Sequence, residues 1–312
     1  MNDVRSIKKI DVHAHATPFR EYYPPSDPKN PDSVFISPEQ LTALYDDLGV
    51  EKGILLPLCG TESILPNVPS ECCKYMVDKY PGRFLWFCTV DPRIQIPKNE
   101  TAYDTFVRLL KHYKSLGAKG MGELTTPVDA DDPRLDVLFT ACEDCDMPVT
   151  IHIAPVRTGT YGIYDELGLP RLERILQKHP RLKILGHSQA FWAEISGDLT
   201  EEIRRGYPKG PIVEGGKTVE LFRKYPNLYG DLSAGSASNA LMRDPDFTAK
   251  FIEEFADRLM YGCDMCTPSP TFPYKFRDFL DEMVENGKIS EENYRKIARE
   301  NAIRILKLED QT

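Results

Sequence analysis

The sequence predicts an α/β chain folded as a closed (β/α)8 barrel, and three observations carry that reading. Short apolar runs recur eight times, at residues 6–12, 53–57, 84–90, 118–121, 149–153, 182–185, 228–232 and 259–261, each followed by a polar stretch with helical spacing. Strands that alternate with helices and read as nearly continuous apolar segments belong to a parallel sheet buried on both faces. The phrases Lys79-Tyr-Pro-Gly-Arg-Phe84, Lys178-His-Pro-Arg-Leu-Lys183 and Lys224-Tyr-Pro-Asn-Leu-Tyr229 repeat one design. In each, a cation sits in the last turn of a helix, proline blocks continuation and a strand begins within a few residues. No glycine-rich dinucleotide fingerprint follows the first run, so a barrel fits better than an open doubly wound sheet.

Length and composition agree with this architecture. A chain of 312 residues suits one large barrel domain, here expected over residues 1–312, and 41% hydrophobic residues supply its core. No apolar stretch approaches the roughly 20 residues of a membrane span, and the first residues lack the apolar segment of a secretory signal. A cytoplasmic location is expected. With 48 acidic against 39 basic residues the net charge is −9, and no basic run tracks a phosphate backbone. A small-molecule substrate is therefore expected, with neither nucleic acid nor membrane as a partner.

The first strand ends in Ile10-Asp11-Val12-His13-Ala14-His15. Alternate residues of a strand point to the same side about 6.6 Å apart, so both imidazoles can aim at one ion. Two more of the six histidines, His152 and His187, end predicted strands, and Glu123 and Asp264 follow two others. A barrel gathers strand C-termini at one rim, where its active site lies, so residues as distant as 13 and 264 can meet there. Imidazole and carboxylate ligands suit Zn²⁺, with Mn²⁺ or Fe²⁺ as alternatives, and one or two ions.

The remaining elements receive simpler readings. His179 lies in one of the helix-to-strand junctions and reads as a helix C-terminal cation; His112 falls on the helical stretch 103–115 and reads as a surface residue. Of the eight cysteines, Cys142-Glu-Asp-Cys145 and Cys263-Asp-Met-Cys266 match C-x-x-C, but the first pair shares a helix face and the second flanks Asp264. Reduced, partly buried thiols explain them better than a shared zinc, with Cys263 or Cys266 able to line the site. Residues 17–37 and 154–169 are too long for turns and follow strand C-termini, so they read as lids over the rim. The segment 22–31 suits a lid or a contact between copies of the chain in a homo-oligomer equally well. Residues 206–216 form a third long connection. Substrate contacts are expected from Arg157 as a bidentate carboxylate partner and from Tyr161 and Trp192 as stacking surfaces, with packing the alternative for Trp192. Ser188 and Gln189, directly after His187, are polar groups in the same zone, with capping of the helix that follows as the alternative for Ser188.

His13-Ala-His15, Glu123, His152, His187 and Asp264, in this order, together with Gly120-Met-Gly-Glu-Leu124, Gly186-His187, Tyr261-Gly-Cys-Asp264 and the late helix 297–305, resemble the amidohydrolase superfamily in its amidohydrolase-related branch. The resemblance spans nearly the whole chain. It implies a metal-dependent (β/α)8 barrel, most such proteins hydrolysing amide or ester-like bonds and a minority decarboxylating or hydrating. Carried over residue by residue, it implies His13, His15 and Asp264 around an inner ion, His152 and His187 around an outer one, and Glu123 between them. Lys119, as a carbamylated bridge, is the poorer candidate. It further implies Asp264 as the proton acceptor and His187 as either a ligand or an orienting group. Decarboxylating relatives usually lack the fourth-strand glutamate and often hold one ion; a barrel that binds metal and ligand without turnover is the third reading.

Overall fold

The computed structural model describes residues 4–25, 27–31, 33–59, 67–268 and 271–308. Its strands are β1 (Lys9–Ala14), β2 (Val50–Leu55), β3 (Phe84–Trp86), β4 (Met121–Leu124), β5 (Val149–Ala154), β6 (Ile163–Tyr164), β7 (Ile184–His187), β8 (Leu228–Asp231) and β9 (Leu259–Met260). All ladders are parallel and run in the orders β1-β2-β3 and β4-β5-β7-β8-β9, with the two-residue β6 added beside β5.

Backbone hydrogen bonds join the two sheets into a ring. Between β3 and β4, the Cys88 amide donates to the Gly120 carbonyl (3.0 Å) and the Gly122 amide to the Cys88 carbonyl (2.8 Å). Between β9 and β1, the Val12 amide donates to Tyr261 (3.0 Å) and the Asp264 amide to His13 (2.7 Å). The fold is thus the expected (β/α)8 barrel, with β6 as an extra strand in the connection after β5.

The three repeated junctions behave as their chemistry requires. Helices α1 (Pro38–Leu48), α2 (Ser70–Lys79), α3 (Ala102–Ser115), α4 (Pro133–Asp144), α5 (Pro170–Lys178), α6 (Gln189–Ala193) and α7 (Lys217–Lys224) alternate with the strands, and α2, α5 and α7 each end on the lysine that opens the repeated phrase. A lysine there faces the negative end of the helix, and proline then prevents another turn. His179 follows α5 and is buried rather than displayed, with Nε2 3.1 Å from Asp136 Oδ1 on α4. His112 is exposed on α3.

Observed strands are offset from the apolar runs at several places. β1 begins at Lys9 because residues Val4–Ser6 form a 3-10 turn. β4 starts at Met121 and ends at Leu124, which puts Glu123 within the strand rather than beyond it. The late helix anticipated at 297–305 is a π-helical stretch, Lys296–Glu300, followed by a short α-helix, Asn301–Ile305, which packs against Ile10, Val12, Ile54 and Phe87. Cys142 and Cys145 are buried at the end of α4 and join none of the potential metal-binding groups among the described residues.

Candidate metal centre

The rim is built strand by strand. β1 delivers His13 and His15, β4 Glu123, β5 His152, β7 His187, and the turn after β9 Asp264. His152 and His187 are register partners across β5 and β7, so their side chains leave the sheet at the same level. Glu123 reaches the site because Gly122 precedes it: Gly122 has φ +128°, and a Cβ there would stand 2.5 Å from the Thr150 carbonyl oxygen.

The structure brings all six expected ligand residues together. His13 Nε2 and His15 Nε2 are 3.0 Å apart. Glu123 Oε2 lies 3.6 Å from the first and 3.4 Å from the second, while Asp264 Oδ1 lies 3.7 and 3.4 Å from the same two atoms. On the other side, Glu123 Oε1 is 2.5 Å from His152 Nδ1 and 3.7 Å from His187 Nε2. His187 Nε2 is also 3.8 Å from Asp264 Oδ2.

The outer partners of these rings fix which nitrogen faces inward. His15 Nδ1 is 2.9 Å from the Leu56 carbonyl, an acceptor only, so Nδ1 carries the proton and Nε2 presents a lone pair. His13 Nδ1 is 2.6 Å from Asp231 Oδ2, which makes the same assignment by donation to a carboxylate. Two buried lone pairs 3.0 Å apart repel unless a cation or a proton lies between them. His187 Nδ1 sits 3.0 Å from the Ser233 hydroxyl.

Charge in the site is shared unevenly. Burial opposes a charge on His13, but Asp231, Asp264 and Glu123 outweigh it and raise its pKa well above the ordinary range. Burial likewise works against Glu123 as an anion, yet His152 and His13 hold it well below the usual carboxylate range. Burial, followed by the charge on His13, lowers His187 to about 4. Three carboxylates, Glu123, Asp231 and Asp264, thus converge on imidazoles in a space largely closed to water, a charge that a divalent cation would neutralise.

Asp231 was not among the residues expected at the site. Its phrase, Leu228-Tyr-Gly-Asp231, ends a strand just as the ligand-bearing phrases do, but the aspartate falls inside the predicted run 228–232. Ser233 and Tyr207 are further additions. Tyr207 lies against Gly235 and within electrostatic reach of Asp264, so the connection 206–216 also approaches the mouth.

The expected substrate contacts separate. Tyr161 packs over the site, its ring centroid 4.5 Å from that of His152. Arg157 is occupied elsewhere: its Nε is 2.8 Å from Asp129 Oδ1, its guanidinium covers Tyr164, and its side chain is 55% exposed. Trp192 corrects the expectation. It is fully buried on α6, with its indole N–H donating to the Asp231 carbonyl (3.0 Å), and has no surface to offer a ligand. Ser188 takes the capping alternative on α6, its hydroxyl accepting from Phe191 N.

The two lids are anchored at the rim. Residues 17–37, of which Ser26 and Asp32 lie outside the described residues, return so that the Ile36 amide donates to the Cys266 carbonyl (3.0 Å) and Phe35 packs near His15. Residues 154–169 are tied to the β4 side by Gly162 N donating to Thr125 O (2.8 Å) and Ala130 N to Tyr164 O (2.9 Å).

A (β/α)8 barrel with imidazoles and carboxylates converging at the C-terminal ends of its strands defines a class of metal-dependent barrel proteins. Residues 10–308 match the family model described as Amidohydrolase, the amidohydrolase-2 branch, and the chain belongs to that family. No curated protein sequence matches it. Among solved structures it is similar to an uncharacterized TIM-barrel protein of Bordetella bronchiseptica (19% identity, TM-score 0.61, covering 96% of this chain and 99% of that one). It is also similar to a probable 2-pyrone-4,6-dicarboxylic acid hydrolase of Acinetobacter baumannii (13%, TM-score 0.59, 96% and 99%). A third is the 5-carboxyvanillate decarboxylase of Sphingomonas paucimobilis (18%, TM-score 0.60, 97% and 100%). At these identities the likeness concerns the fold. Family and neighbours are enzymes, and both hydrolases and decarboxylases occur among them.

Proposed function

We propose that the protein is a metal-dependent hydrolase of an amide, lactone or ester-like bond in a small molecule. The observation that carries this reading is Glu123, whose two oxygens address separate groups: Oε2 the His13–His15 pair, Oε1 the His152–His187 pair. Such a carboxylate suits two adjacent cation positions, whereas gripping a substrate carboxylate for loss of CO₂ needs only one. His13, His15 and Asp264 would hold one ion, His152 and His187 the other, and Zn²⁺ is the ion that this donor set suits best, with Mn²⁺ and Fe²⁺ compatible.

A bound divalent ion brings the pKa of its water towards about 7 and polarises the carbonyl under attack. The protein's own groups do the rest. Asp264, 20% exposed and therefore open to the mouth, accepts the proton of the attacking water and returns it to the leaving group. His187 orients the developing oxyanion or completes the second position. Tyr161, packed on His152, is the substrate contact.

The partner is a small molecule rather than nucleic acid or a membrane surface, and eight free cysteines favour a reducing, cytoplasmic compartment. No helix among the described residues is long and apolar enough to cross a membrane. Metal analysis of protein purified without added metal, paired with a panel of lactones, amides, dipeptide-like compounds and hydroxybenzoates, tests the reading. Two equivalents with acid release from a lactone or amide support it. One equivalent with CO₂ released from an aromatic acid overturns it in favour of decarboxylation.

A further inference from the structure

The two C-x-x-C pairs play no part in the hydrolytic scheme, and one of their four sulfurs lies at the centre. Cys263 is buried with its sulfur towards the Tyr261 hydroxyl (3.8 Å), while its amide donates to Asp11 Oδ1 (2.8 Å). Cys266, two residues beyond Asp264, turns the other way, and its Sγ lies 3.6 Å from Asp264 Oδ1. His15, Asp264 and Cys266 each offer a ligand atom, all within 4.8 Å of one another. Among the described cysteines, no other joins such a group.

Two further observations bear on a ligand at this face. His15 is 2% exposed, and its Nε2 is aimed inward, 3.0 Å from His13 Nε2 and 3.4 Å from both Glu123 Oε2 and Asp264 Oδ1. The Cys266 backbone is held by the lid, since its carbonyl accepts from the Ile36 amide (3.0 Å), so the sulfur is presented from a fixed position.

We propose that Cys266 is an ion-binding residue, its sulfur joining His15 Nε2 and Asp264 Oδ1 on one cation and favouring Zn²⁺ over Mn²⁺. A thiolate is a soft ligand, which Zn²⁺ and Co²⁺ accept readily and the harder Mn²⁺ does not. On binding, the Sγ–H bond breaks, its proton leaves to solvent and the sulfur lone pair goes to the ion, with no change of oxidation state. This rests on the metal reading given above and adds to it a sulfur ligand and a preference for softer ions.

The experiment is reconstitution of the chelator-stripped full chain with Co²⁺, followed by absorption spectroscopy. Visible ligand-field bands report occupation of the centre; a near-ultraviolet thiolate-to-cobalt band reports the sulfur. The wild type is expected to show both, Cys266→Ser to keep the first and lose the second, and Cys72→Ser, on α2, to keep both. In competition titrations Cys266→Ser is expected to weaken Zn²⁺ by at least about tenfold, because even outer-shell changes cost that much, while leaving Mn²⁺ nearly unaffected. Visible bands without the ultraviolet band in the wild type overturn the sulfur ligand alone, and this holds whether or not the variants fold. An ultraviolet band that survives in a folded Cys266→Ser protein overturns it as well. Failure of the wild type to take up Co²⁺ overturns the metal reading and the sulfur ligand together.

Discussion

Replacing Asp231 by asparagine changes one atom's chemistry behind His13 and leaves the remainder of the pocket in place. Asp231 Oδ2 lies 2.6 Å from His13 Nδ1, with both side chains fully buried. Its Oδ1 accepts from the Ser233 amide at 3.0 Å, a bond that asparagine keeps. The amide nitrogen then faces Nδ1 as a donor, so His13 must place its proton on Nε2, where the ion would sit. A hydrogen bond to a charged group contributes about 1.5–3 kcal/mol, and 1.4 kcal/mol is a factor of ten, so metal affinity should fall by about 10- to 100-fold. At a metal concentration of about 100 times the wild-type Kd, binding stabilises the wild type by about 2.7 kcal/mol; a 100-fold weaker variant retains only about 0.4 kcal/mol. Competition against a chromogenic chelator measures the affinity, and melting curves with and without metal measure the stabilisation. An Asp231→Asn protein that binds as tightly as the wild type, with an unchanged metal-dependent melting shift, would refute the role given to Asp231.

Other expected outcomes follow from the same structure. Asp264→Asn should keep the fold and much of the metal but lose turnover by about 10²- to 10⁴-fold, and wild-type kcat in that variant would remove Asp264 as proton acceptor. Gly122→Ala forces a side chain onto φ +128° with its Cβ 2.5 Å from the Thr150 carbonyl oxygen, so it should destabilise by about 1–3 kcal/mol and weaken metal binding by displacing Glu123. Arg157→Ala should leave KM unchanged, because its guanidinium is already engaged by Asp129 and Tyr164. Glu173, held at about 2 by hydrogen bonds from Lys224 and Lys217, has a depressed folded-state pKa. Its stabilisation is therefore complete above its unfolded value of 4.5 and fades as pH falls from there through about 2. The full shift corresponds to about 3 kcal/mol, which solvent screening reduces to about 1 kcal/mol, so urea titrations should show Glu173→Gln weaker at pH 7 and equal to the wild type near pH 2.

The candidate cluster is legible because barrel topology turns a one-dimensional rule, polar residues at the ends of apolar runs, into a three-dimensional cluster. His13, His15, His152 and His187 all obeyed it. Glu123 sits inside β4 instead of after it, since the strand runs from Met121 to Leu124, yet it points to the same rim. Asp231 follows the rule too, but it fell within the apolar run 228–232, where no feature of one sequence separates it from a strand interior. At Trp192 sequence position misleads for a different reason. Position at the end of a rim strand suggests a rim residue, but α6 is only five residues long, Gln189–Ala193, and buries Trp192 against Phe191 and Phe251. Tyr207 reaches the mouth through a long connection whose path depends on tertiary contacts, so spacing alone carried no signal for it.

The closure of the barrel and the assembly of the centre are one event physically. The Asp264 amide donates to the His13 carbonyl at 2.7 Å, so the seam between β9 and β1 joins two proposed ligands through their own backbones. At the other seam, Gly122 donates to Cys88 one residue before Glu123. Each seam has few ladder bonds, and the carboxylates of Glu123 and Asp264 that flank them repel each other across the site. A cation held between His13, His15, Glu123 and Asp264 would convert that repulsion into attraction and fasten β1, β4 and the turn after β9 to a common point. The ion proposed to supply the chemistry would therefore also reinforce the closure of the ring of strands. Three of the six candidate donors, His13, Glu123 and Asp264, thus lie at the two seams, while His152 and His187 stand on the continuous β5–β7 ladder.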